Sequence, residues 1–138
     1  MNITEEGNLN FDTGVISKEQ TSDDICKILG SPNSQDDFNN GWCTITYKGL
    51  ESTNEKLNIT FRFKNRALKQ IDFTPRYNQN SDTQGWGNWS KKKELELKET
   101  YDVWLNSKIG PKRIYEWGSI ASVYDPKSGS SSIVIIYK

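Results

Sequence analysis

Few side chains in this 138-residue sequence are typed and spaced for catalysis, and it contains no histidine. Histidine is the usual proton carrier near neutral pH and the commonest metal ligand, so its absence removes most hydrolytic triads, zinc sites and proton relays. Glu96-Leu97-Lys98 matches the E-x-K half of a nuclease signature, in which carboxylates hold a divalent metal and a lysine stabilises the attacking water. Its surroundings read instead as a solvated helix. Lys92 and Glu96, Glu94 and Lys98, and Lys98 and Asp102 each stand four residues apart, the spacing of surface charge pairs. Cys26 and Cys43 have no histidine to activate them, which favours small buried thiols over a nucleophile. No catalytic residue, metal ligand or cofactor is expected, and the chain does not read as an enzyme.

Binding chemistry has better candidates among the five tryptophans, six tyrosines and five phenylalanines. Lys91-Lys92-Lys93 lies beside Trp86 and Trp89, and basic residues interleaved with aromatics suit single-stranded nucleic acid. Against that, Glu94, Glu96 and Glu99 oppose the run, and no RNA-binding motif accompanies it. Asp36-Asp37 falls in a polar stretch that reads as a loop, beside Phe38 and Trp42. Exposed acid next to aromatic anchors suits a basic protein surface, with a merely solubilising loop as the competing reading. The expected partner-binding set is Asp36, Asp37, Phe38 and Trp42, joined by Trp86 and Trp89 from a second long loop. Charge distribution agrees: basic and acidic residues balance at 18 each, yet residues 1–40 hold eight acidic side chains and two basic ones. A neutral total gives no general pull toward nucleic acid or an anionic membrane.

The elements that must position these residues form one domain over 1–138. Thr21 and Asp24 have capping-box spacing at the head of a helix over about 21–29, which Gly30 and Pro32 terminate. Trp42 to Tyr47 alternates as a strand. Leu57, Ile59, Phe61 and Phe63 then mark one face of the clearest strand in the chain, with Asn58, Thr60, Arg62 and Lys64 on the other. A turn near Asn65 and Arg66 leads to a third strand over Leu68 to Phe73, and residues 74–90 read as a loop. Ser90 caps a second helix to about Lys108, with Leu97, Tyr101, Trp104 and Leu105 as its core stripe. A hairpin follows, Tyr115 to Tyr124 and Ser132 to Tyr137 about a turn at 125–129. The expected class is α+β, a mainly antiparallel sheet of about five or six strands with two helices on one face, in the order α-β-β-β-α-β-β. The opening residues carry neither a basic nor an apolar signal region, and no apolar run approaches the roughly 20 residues of a membrane helix. A cytoplasmic protein with reduced thiols, and no membrane partner, is expected.

From Trp104 onward, the WL pair, Gly110 and the run WGSIASVYDPKSGSSSIVIIYK, together with small size and a Trp-rich α+β plan, resemble the immunity proteins of bacterial polymorphic and contact-dependent toxin systems. The resemblance implies a protein that binds one cognate toxin domain in a stoichiometric complex and blocks it. It carries over no binding residues. The unit from Thr21 to Lys64 also resembles the helix-hairpin modules of bacterial envelope-assembly lipoproteins and β-lactamase inhibitor proteins. Two alternatives therefore stand beside the first: an envelope-associated binding module, and a small nucleic-acid-binding or enzymatic domain using Lys91 to Lys93.

Overall fold

The computed structural model describes residues 1–52, 55–76 and 90–138. Its elements run β1 (Asn2–Ile3), β2 (Leu9–Phe11), β3 (Gly14–Ile16), α1 (Ser22–Leu29), β4 (Ser34–Asp37), β5 (Trp42–Ser52), β6 (Glu55–Lys64), β7 (Ala67–Arg76), α2 (Lys91–Ile109), β8 (Ile114–Tyr115), β9 (Gly118–Asp125) and β10 (Ser130–Tyr137). Strands β4-β5-β6-β7-β10-β9-β8 form one antiparallel sheet in that order, and β1-β2-β3 form a small second one.

Alternation builds the centre of the large sheet. Leu57, Ile59, Phe61 and Phe63 of β6 are all buried, facing Tyr47, Ile45 and Cys43 of β5 and Ile71 and Phe73 of β7. Lys64 pairs with Ala67, so Asn65 and Arg66 alone make the β6–β7 turn, and both have positive φ (51° and 71°). That is the turn geometry whose twist matches paired strands.

Both helices lie over this apolar face. Thr21 Oγ1 accepts the Asp24 N–H and Asp24 accepts the Thr21 N–H, the capping box read from the sequence. The C-terminus of α1 is tied down by Tyr47, whose hydroxyl donates to Gly30 O. In α2, Ser90 Oγ caps the Lys93 N–H, and Tyr101, Trp104 and Leu105 are buried. Leu97 is 38 % exposed and lies outside the core stripe. The first half of α2 rests on β9 and β10 through serines instead: Ser122 Oγ donates to Lys98 O and Ser131 Oγ to Glu94 O. Trp104 meets Phe73 edge to face at 5.6 Å and donates from Nε1 to buried Glu55.

The expected single sheet of about five or six strands is overturned by seven strands plus a second sheet of three. The additional strands are short or polar. β1, β2, β3 and β8 have two or three residues each, too few for a period-two pattern, and β4 is Ser-Gln-Asp-Asp, exposed at every position. Backbone pairing creates them without an apolar face of their own. The small sheet adds Ile3, Leu9 and Ile16 to the core and is held by two long-range hydrogen bonds, Tyr137 Oη to Gly7 O and Trp117 Nε1 to Glu5 O. Burial raises the Tyr137 hydroxyl above its usual pKa, so it remains a donor across the physiological range.

Candidate protein-binding surface

The helices and the small sheet cover one face of the large sheet, and no described helix or strand packs on the other. Register decides what this open face carries, because side chains alternate along each strand. Opposite the buried row of β6 lie Thr60, Arg62 and Lys64. They continue into Thr46, Thr44 and Trp42 of β5 and into Asp72 and Gln70 of β7. Across β10, β9 and β8 the same face becomes apolar, with Val134 and Ile136, Ala121 and Val123, and Ile114. Ile114 is 76 % exposed and Ile136 49 %. The face thus has a charged half and an apolar half.

The charged half is organised by two contacts. Arg62 Nε donates to Asp72 Oδ2, and Gln70 Nε2 donates to Asp72 Oδ1 at 2.8 Å, so that carboxylate is engaged on both oxygens. Lys64 Nζ stands 5.4 Å from the centre of the Trp42 ring and donates to Asn40 O. A fixed cation over a half-buried tryptophan presents charge and apolar area together, a composition suited to a protein interface.

Asp36 and Asp37 belong to edge strand β4, and the loop expected there is corrected to a strand. The consequence is geometric. Asp36 pairs with Thr44 and shares the open face, whereas Asp37 pairs with Cys43 and points to the other side. Asp37 Oδ1 caps the Asn39 N–H in the turn toward β5, and Phe38, 55 % exposed, donates its N–H to Trp42 O across that hairpin. Asp36, Asp37, Phe38 and Trp42 are therefore brought together on one β-hairpin, with the two carboxylates on opposite faces. Trp86 and Trp89 lie outside the described residues.

Sequence reasoning did not single out Arg62, Asp72, Ile114 or Ile136. For Arg62 the pointer was present, since it stands on the polar side of the clearest strand; for Ile114 it was not, because two residues show no alternation.

The groups weighed for chemistry are dispersed. Glu96 and Lys98 sit on α2, the Glu96 carbonyl accepting from Thr100 and the Lys98 carbonyl from Ser122. Lys91, Lys92 and Lys93 are exposed in its first turn. Both cysteines are free and half-buried; Cys26 Sγ lies 3.6 Å from the Tyr47 hydroxyl, whose pKa burial raises well above the usual tyrosine value. A phenol held protonated is no base for that thiol. Among the described residues no three acidic or cysteine side chains converge on a metal position, and no helix is long and apolar enough to cross a membrane.

No protein-family model and no curated protein matches this chain. Its fold is similar to that of a chain in the solved structure of Rhs1-CT in complex with cognate immunity protein RhsI1. The match spans 100 % of this chain and 87 % of that one, with a TM-score of 0.58 and 17 % sequence identity. At that identity the likeness is one of fold.

Proposed function

We propose that this chain is an immunity protein, which binds a cognate bacterial toxin domain in a stoichiometric complex and neutralises it. The observation that carries this reading is the full-length fold match to a chain from a toxin–immunity complex. Of the two roles in such a complex, the chain's chemistry fits the inhibitor. It lacks histidine, its Cys26 thiol meets a tyrosine hydroxyl, and its nuclease-like Glu96-Leu97-Lys98 lies on α2, where among the described residues no three acidic or cysteine side chains converge on a metal position. The open face supplies the area for a partner, and the exposed acid of β4 favours a toxin with a basic surface. Two free cysteines suit the reducing cytoplasm as its place of action.

Growth provides the test. Co-expression with the toxin domain whose gene adjoins that of this chain should restore growth, and the chain expressed alone should leave growth unchanged. No adjoining toxin gene, no rescue, or toxicity of the chain itself would contradict the reading.

A further inference from the structure

The two edges of the large sheet differ. β8 offers only two residues, too short to seat another strand. Among the described residues β4 offers four exposed positions bonded on one side alone, to β5. Because Phe38 donates to Trp42 O and bonded pairs alternate along an antiparallel ladder, the even positions of β4 turn their backbone toward β5. Gln35 and Asp37 turn their N–H and C=O groups outward. The side chains along this edge place acid on both faces, Asp36 on one and Asp37 on the other, and among the described residues neither forms an ion pair.

That charge pattern selects the occupant. A second copy pairing edge to edge would set aspartate against aspartate, and like charges across strands destabilise the pair. A strand carrying lysine or arginine meets opposite charge on both faces. We propose that an extended basic segment of the partner adds to β4 as an eighth strand, bonding to the free backbone groups of Gln35 and Asp37 while its cations flank Asp36 and Asp37. Exposed Phe38 then provides an apolar contact at the end of the added strand. This rests on the toxin-binding reading and names the docking element within it.

Amide hydrogen exchange on the full chain, free and saturated with the purified toxin domain encoded beside it, reads the two groups directly. The Gln35 and Asp37 amides should exchange freely alone and slow by at least about 100-fold in the complex. Gln35→Pro removes an outward N–H and leaves the β4–β5 ladder intact, so it should weaken binding at least about 30-fold, while Gln35→Ala stays within about 3-fold of wild type. A complex in which both amides keep their free exchange rates, or a proline variant that binds like wild type, overturns strand addition and leaves toxin binding standing. Failure of the wild-type chain to bind the domain at all overturns both.

Discussion

Asp24 shows how one side chain fixes a helix start and ties it to pH. Hydrogen bonds from the Thr21 backbone and side chain hold its carboxyl below the usual 3.8. A carboxyl depressed in the folded state contributes stability above its unfolded pKa, and that contribution disappears as pH falls through the folded value. Asp24→Ala should therefore lower the melting temperature near pH 7 and converge with wild type at about pH 2, as scanning calorimetry would show. An equal deficit at both values would mean the carboxylate charge plays no part. This cap was legible because both partners are local, three residues apart. Asp36 and Asp37 look like one acidic loop in the sequence, because nothing local announces that β5 recruits them as an edge strand and splits them between faces.

Among the elements, the central hairpins were most legible where alternation is strict. Phe61 and Trp104 both emerge buried, one from strand alternation and one from helical spacing. Truncating either to alanine should lower the unfolding free energy by about 3–5 kcal/mol in denaturant titration. Trp104→Ala should lie at the upper end, since it also strips a hydrogen bond from buried Glu55, which Lys108 at 3.5 Å and the Met1 amino group at 3.7 Å would not replace. Values below about 1 kcal/mol for both would mean the helix does not pack on this sheet face. The β6–β7 turn gives a prediction of opposite sign. Arg66 holds φ of 71°, a conformation glycine adopts without strain, so Arg66→Gly should stabilise by about 0.5–1 kcal/mol. Loss of stability instead would show that the arginine side chain contributes more than its backbone strain removes. Less legible was the small sheet, whose docking depends on contacts more than a hundred residues apart, such as Trp117 Nε1 to Glu5 O. There Gly7, at φ 82°, leaves no room for a side chain: an added Cβ would fall 2.6 Å from the Trp117 ring. Gly7→Ala should destabilise by more than about 2 kcal/mol, and protection of the β1–β2 amides should fall first.

For the whole molecule, a large sheet with its helices on one face leaves strand surface accessible to a partner on the other. Charge at the β4 edge acts chiefly on encounter with a basic partner, within a Debye length. Reversing Asp36 and Asp37 to lysine should slow association and flatten its salt dependence in stopped-flow mixing, while stability falls by no more than the roughly 1 kcal/mol of the exposed Asp37–Asn39 turn hydrogen bond. A wild-type association rate at low salt would remove this edge from the interface. The most direct measurement of the central claim is light scattering on the purified chain mixed with the toxin domain encoded beside it. Neutralisation by stoichiometric binding predicts a single species whose mass equals one copy of each, with the toxin activity abolished at the equivalence point. Two separately eluting proteins at micromolar concentration, with activity retained, would contradict it.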